Sequence, residues 1–157
     1  MLYNEHKKLV IFLVVLIIGS GFGREFVMKN INWVVKYLTQ GGGYWSQKMF
    51  DPLLNWSLDE LSILKWMLTI FFSLYFYGLT VWIVKLKFPK NQYFLRVTTL
   101  AFMSLVLISF MLMLVGWTTN TIDVLYHIAR NLMGVVQSFL PLMVLVLIFK
   151  FLPQKKA

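Results

Sequence analysis

Four long apolar stretches dominate this sequence, and each is about as long as a helix must be to cross a lipid bilayer. A hydrocarbon core of about 30 Å requires roughly 20 residues of α-helix at about 1.5 Å per residue. Because the stretches are continuously apolar rather than alternating, they favour helices over the strands of a transmembrane barrel. The sequence therefore predicts an all-α integral membrane protein, a single-domain four-helix bundle with spans at about residues 9–27, 63–84, 97–117 and 131–150.

The amino-acid composition supports the membrane class and excludes several others. Hydrophobic residues make up 59% of the chain and charged residues 13%, whereas a soluble domain has about 45–50% apolar and about 25% charged residues. The net charge of +9 would suggest nucleic-acid binding in a soluble protein. Here the charges lie between the apolar stretches, so we expect the lipid bilayer, and no nucleic acid, as partner. The absence of cysteine excludes disulfides, thiol nucleophiles and cysteine-bound metals.

The distribution of lysine and arginine predicts the orientation of the chain in the membrane. The N-terminus, the connection after the second span and the C-terminal tail together carry nine basic residues and one acidic residue, Glu5. The two remaining connections carry six basic and five acidic residues. Since basic residues are enriched in short cytoplasmic segments, we expect a multi-pass protein of the bacterial inner membrane with both termini in the cytoplasm.

The connection between the first two spans, residues 28–62, is predicted to lie at the outer face. Five apolar residues share one helical face within and just before it: Val27, Ile31, Val34, Val35 and Leu38. This spacing favours an amphipathic helix in the outer interface, with an extension of the first span as the alternative. Gly41–Gly43 should end that helix. Ser57 and Glu60 have the spacing of a capping box, which predicts a new helix from near Leu58.

Small and polar residues within the spans indicate where helices pack. Gly19 and Gly23 form a G-x-x-x-G pair, and Gly134 with Ser138 forms a second pair of small residues. Such pairs allow helix backbones to approach closely. Gln137 lies beside the second pair, and an amide inside a span requires a hydrogen-bond partner. This face of the fourth span is therefore expected to point toward protein.

Two further patterns concern the backbone of the spans. Pro141 lacks an amide proton and is predicted to kink the fourth span near its middle, as a structural feature rather than a gate. The third span carries four hydroxyl side chains that can bond back to carbonyls of their own helix. These residues are Thr98, Thr99, Ser104 and Ser109.

A group of charged side chains is predicted near the outer boundary of the membrane. Asp123, His127 and Arg130 follow at i, i+4 and i+7 and therefore share a helical face. Arg24 and Glu25 end the first span at a similar depth. Because charged groups that reach into a bilayer tend to be paired, we expect pairing between the two sets. An interfacial ladder of ion pairs is the favoured interpretation, and an acid–base cluster or a clamp for an anionic lipid or peptide carboxylate is the alternative.

Catalytic and metal chemistry find little support in the sequence. The two histidines, His6 and His127, are predicted on opposite sides of the membrane, so they cannot share a metal or haem centre. No G-x-S-x-G motif is present, and Ser138 has no histidine near it in sequence. We therefore expect no cofactor, no metal and no enzymatic activity.

Four short segments resemble a family of membrane proteins. Gly23–Phe26 (GREF), Met49–Leu54 (MFDPLL), Ile128–Asn131 (IARN) and Val136–Ser138 (VQS) resemble the small multispan proteins associated with exosortases in Bacteroidota, which sort surface proteins through C-terminal anchors. Exosortases use a Cys–Arg–His arrangement, so the resemblance implies an accessory of the sorting enzyme rather than the enzyme. The resemblance also marks Arg24, Asp51 and Arg130 as candidate functional positions. Asp51 therefore joins the charged residues predicted near the outer boundary, and together these form the outer-face charged cluster: Arg24, Glu25, Asp51, Asp123, His127 and Arg130.

These observations lead to one expected function and two alternatives. We expect a non-catalytic accessory or assembly subunit of a larger inner-membrane complex, linked to surface-protein sorting or secretion, with a larger membrane protein as partner. The first alternative is a small membrane enzyme or lipid-binding protein that uses the outer-face charged cluster. The second is a homo-oligomeric channel with a wetted axis near Gln137.

Overall fold

The computed structural model describes residues 2–41, 43, 45–89, 92–119 and 122–151, without the side chains of residues 2–6, 117, 122, 123, 126 and 127. Within these ranges all regular structure is helical, which confirms the predicted all-α class. The elements are α1 (Leu2–Gln40), the 3₁₀ helix η1 (Lys48–Asn55), α2 (Leu58–Lys87), α3 (Gln92–Thr118), α4 (Ile122–Val136) and α5 (Leu140–Phe151).

Three of the helices, α1, α2 and α3, are long and apolar enough to cross a membrane. The helices α4 and α5 pass the same test only as a pair, because they meet at a bend of 63°. The chain is thus compatible with a multi-pass membrane protein of three spans, or of four if the bent pair is one span. The assembly of these spans into a four-helix bundle remains a prediction.

The chain divides into two compact units. The first comprises Met1–Ile18 and Ser73–Ala157. Its core lies among α2, α3, α4 and α5, where α3 packs against α4. In this unit Tyr77 of α2 also contacts Thr99 of α3, with the two hydroxyl oxygens 3.1 Å apart. The buried residues of this core are Val84, Phe94, Phe102, Val136, Leu145 and Phe149.

The second unit, Gly19–Phe72, has a core of its own. The buried residues are Ile31 and Val34 of α1, Phe50 of η1 and Leu61 of α2. Most of the apolar face that the sequence places on residues 27–38 is therefore covered by protein, whereas Leu38 at its end is exposed.

This arrangement corrects the prediction for residues 28–62. Residues 28–40 continue α1 without a break, and α2 already begins at Leu58. The separate interfacial helix is not observed, and the alternative, an extension of the first span, describes the structure. The physical reason is that η1 and the start of α2 supply the apolar partners that a lone amphipathic helix would find in lipid.

The predicted C-terminal end of α1 and the predicted start of α2 are confirmed. The helix α1 ends at Gln40, and Gly41 follows with φ +66°, a conformation that glycine adopts without steric cost. At the start of α2, the Ser57 amide donates to Glu60 Oε2 at 2.8 Å. The Glu60 amide in turn donates to Ser57 Oγ at 3.3 Å. This is the reciprocal pattern of a capping box.

At the kink predicted for the fourth span, the structure shows a complete interruption of the helix. The helix α4 ends at Val136, and Pro141 is the second residue of α5. A proline ring collides with the carbonyl of the residue four positions earlier, which here is Gln137. The helix therefore stops before Gln137, and Pro141 sits in a first turn, where its missing amide proton costs no helical hydrogen bond.

Candidate functional site

The break between α4 and α5 places a buried amide inside a predicted span. Gln137 is 1% exposed, and its Nε2 donates to Ser73 Oγ at 2.8 Å. This confirms that the Gln137 side chain points toward protein, and it identifies the partner as a hydroxyl of α2. Because lipid offers no hydrogen-bond partners, this contact ties the break to α2.

The backbone at the break is closed by local hydrogen bonds. The Gln137 amide donates to Met133 O at 3.0 Å and the Ser138 amide to Val135 O at 3.1 Å. The Ser138 hydroxyl donates to Val135 O at 2.7 Å and accepts from the Leu140 amide at 3.2 Å. The Ser138 hydroxyl therefore bonds to the last turn of α4 and to the first residue of α5. Both of these hydrogen bonds are local in sequence.

The predicted outer-face charged cluster is only partly described. Arg24, Glu25 and Asp51 belong to the second unit, where Arg24 is half-buried and the two carboxylates are exposed. The rings of Phe26 and Phe50, 6.0 Å apart, bring the segments that carry these three residues together. Arg130 is an exposed residue of the first unit.

The other two members of that cluster, Asp123 and His127, have side chains outside the described residues. Their backbone belongs to α4, which runs through both positions and through Arg130. The shared helical face of these three residues agrees with a continuous helix. Pairing between this face and Arg24 or Glu25 remains a prediction.

The G-x-x-x-G pair of α1 faces open space in the described part of the chain. Gly19 and Gly23 are exposed, and a methyl group added at either would meet no atom of a neighbouring element within 4 Å. Gly134 is half-buried, and a methyl group added there would likewise meet no such atom. Within the described chain no helix packs closely against these glycines, so their role in helix packing remains a prediction.

One polar anchor was not predicted from the sequence. Asn30 is 5% exposed, and its Oδ1 accepts from the Gln47 amide at 2.8 Å and from the Ser46 hydroxyl at 3.2 Å. Its Nδ2 donates to Phe26 O at 2.8 Å. The anchor ties the segment after the glycines back to α1. The sequence feature that could have indicated this anchor is an asparagine at the edge of an otherwise apolar helical face.

Comparisons with known proteins assign no family to these features. No protein-family description, curated protein or solved structure matches the chain. Among the described residues there is also no group of three or more histidine, aspartate or glutamate side chains placed to hold a metal ion.

Proposed function

We propose that this protein is a non-catalytic assembly subunit of a larger membrane complex, and that the glycine face of α1 is its contact surface. The glycine face consists of Gly19, Phe22, Gly23 and Phe26. Its two glycines carry the proposal, because they are exposed with open space above them. Phe22 between them is 71% exposed.

Exposed apolar surface alone does not require a protein partner. In the most apolar window of α1 only 11% of the residues are buried, against 28% for α2 and 17% for α3. Since lipid tails are as apolar as leucine, such surfaces are stable in a bilayer. What distinguishes α1 is the absence of side chains at two positions one turn apart. This lets a second helix approach closely enough for extensive backbone contact.

The lengths of the helices support a bilayer position for this face. The 39 residues of α1 rise about 58 Å, which is about twice the thickness of a hydrocarbon core. If the bilayer begins just after Lys7 and Lys8, Gly19 and Gly23 lie within it. Residues beyond about 28 then project outside, together with η1 and the first turn of α2.

The bent pair fits a single broken span better than a re-entrant loop. The apolar parts, Ile128–Val136 and Leu140–Phe151, meet at 63°. With each part tilted by half that angle, they rise together about 27 Å before the connecting residues are counted, close to the about 30 Å of the core. A fourth crossing keeps both termini on the cytoplasmic side, in agreement with the bias of lysine and arginine.

The biological process in which this protein takes part is proposed from the sequence resemblance alone. The segments containing Arg24, Asp51 and Arg130 resemble exosortase-associated proteins, so surface-protein sorting or secretion in a bacterial inner membrane is the process we propose. An exosortase is then the first partner to examine.

The proposal is tested by filling the glycine face. In Gly19→Leu/Gly23→Leu the fold should be retained, because a Cβ added at either position meets no atom within 4 Å and leucine is a better helix former than glycine. The matched control is Gly78→Leu, an isolated exposed glycine of α2 that also has open space above it. Each tagged chain is purified from native membranes in mild detergent, and its partners are identified by mass spectrometry.

We expect a stoichiometric larger membrane protein with the unmodified chain and with Gly78→Leu, and its loss from the double variant. Retention of that partner by the double variant would contradict the glycine face as the contact surface. A chain that purifies alone in every case would contradict the subunit function. A symmetric assembly of this chain only would instead favour the homo-oligomeric channel.

A further inference from the structure

Three phenylalanines join the ends of three helices in the first unit. Phe94 near the start of α3 stacks on Phe149 near the end of α5, with ring centroids 4.2 Å apart and planes at 11°. Phe88, just after α2, meets Phe94 edge-on at 4.9 Å and Phe149 edge-on at 5.8 Å. Phe94 is 2% exposed and Phe149 fully buried. These contacts hold the C-terminal ends of α2 and α5 beside the N-terminal end of α3.

Four basic residues lie at the helix ends that this aromatic cluster joins. The basic collar consists of four exposed residues: Lys85, Lys87, Arg96 and Lys150. Lys87 Nζ lies 5.9 Å from the centroid of the Phe88 ring, and Lys150 directly follows Phe149. The chain segments 85–96 and 140–151 contain no aspartate or glutamate. The collar therefore concentrates positive charge without an acidic residue in its own segments.

Helix dipoles explain only part of this arrangement. Lys85, Lys87 and Lys150 lie in the last turns of α2 and α5, where a cation interacts favourably with the backbone carbonyls. Arg96 is the fifth residue of α3, one turn past its start, so the dipole gives a cation no support there. Like charges at the same end of the unit repel one another, which adds to the electrostatic energy of the collar. A bound anion would remove that cost.

The surroundings of the collar match the interface of a membrane. Trp82 of α2 is 50% exposed and Tyr93 of α3 is 60% exposed, and these residue types are enriched at the level of lipid headgroups. The helices that carry them are long and apolar enough to cross the bilayer. An anion at this depth is most simply the headgroup of a surrounding lipid.

We propose that the basic collar binds the headgroups of anionic phospholipids in the leaflet that surrounds it. The aromatic cluster holds three helix ends together, so the four cations are held at one end of the first unit. Binding depends on the negative charge of the headgroup and lowers the repulsion among the collar residues. This inference is independent of the assembly function and concerns a different surface of the chain.

The test compares lipids and variants with the full-length chain in neutral detergent. Binding of phosphatidylglycerol and of phosphatidylcholine is measured by native mass spectrometry over a range of lipid concentrations. Arg96→Gln/Lys150→Gln removes two collar charges on different helices. The matched control, Lys29→Gln/Lys48→Gln, removes two exposed lysines of the second unit. A charge-preserving variant, Arg96→Lys/Lys150→Arg, separates loss of charge from loss of fold.

We expect phosphatidylglycerol to bind more tightly than phosphatidylcholine. The collar variant should bind phosphatidylglycerol about 25-fold more weakly, from about fivefold for each charge near a membrane surface, while the control and charge-preserving variants bind it like the unmodified chain. Equal affinity for the two lipids would overturn the proposal, as would equal losses in the collar and control variants. Displacement of the lipid by millimolar inorganic phosphate would also overturn it, since the site would then recognise a free anion.

Discussion

Truncation of Leu61 tests whether residues 28–40 are held by a packed core. Leu61 is fully buried against Ile31, Val34 and Phe50, so Leu61→Ala leaves a cavity at the centre of the second unit. Leu58→Ala is the matched control, because Leu58 lies three residues earlier in the same helix and is 46% exposed.

The expected effect follows from the burial of the two leucines. Truncation of a fully buried leucine costs about 2–5 kcal/mol, whereas a change at an exposed position stays within about 0.5 kcal/mol. If local opening controls amide exchange, these energies correspond to exchange about 30-fold to about 4,000-fold faster in Leu61→Ala and to a change of about twofold in the control.

Hydrogen exchange followed by mass spectrometry measures this directly in detergent micelles. Peptides covering residues 28–40 and 48–55 should lose protection together in Leu61→Ala, because α1, η1 and α2 share that core. If residues 28–40 instead lay on lipid and depended on no protein partner, their exchange would be unchanged. Unchanged exchange in Leu61→Ala, measured beside an intact fold, would refute the packed core.

Three further predictions address the break, the start of α2 and the topology. A double-mutant cycle with Ser73→Ala and Gln137→Leu, read by thermal unfolding, should give a coupling of about 0.6 and at most about 1.7 kcal/mol; zero coupling would contradict the 2.8 Å hydrogen bond. Ser57→Ala should destabilise the first turn of α2 by about 0.5–2 kcal/mol, seen as faster amide exchange there and nowhere else. Because the chain has no native cysteine, Lys48→Cys should react with an impermeant maleimide on intact cells and Lys87→Cys only after permeabilisation; the opposite pattern would reverse the proposed orientation.

Local features of the fold were predictable because their causes are local in sequence. Ser57 and Glu60 lie three residues apart and satisfy each other's backbone amides, so the start of α2 follows from the sequence alone. Gly41 ends α1 for an equally local reason. Pro141 likewise predicts an interruption of the fourth span. Pro141 alone does not predict the hydrogen bonds of Ser138, whose hydroxyl bonds to both sides of the break.

Features that depend on distant partners were predicted only in part. Periodicity shows that residues 27–38 have an apolar face, but it does not identify Phe50 and Leu61 as the residues that cover it. Gln137 inside a span requires a partner, yet nothing in the sequence selects Ser73. The aromatic cluster that supports the basic collar was missed because phenylalanine is common throughout the spans, so no spacing singles out the three that meet.

The most direct test of the proposed function is site-specific crosslinking at the glycine face in native membranes. A photoreactive benzophenone amino acid replaces Phe22, which is 71% exposed between the two glycines, and, as a control, Leu100 of α3, which is 68% exposed. We predict one discrete adduct with a larger membrane protein from position 22 and none from position 100. Adducts with lipid only at position 22, or the same protein adducts at both positions, would contradict the assignment of the glycine face as the surface that joins this subunit to its complex.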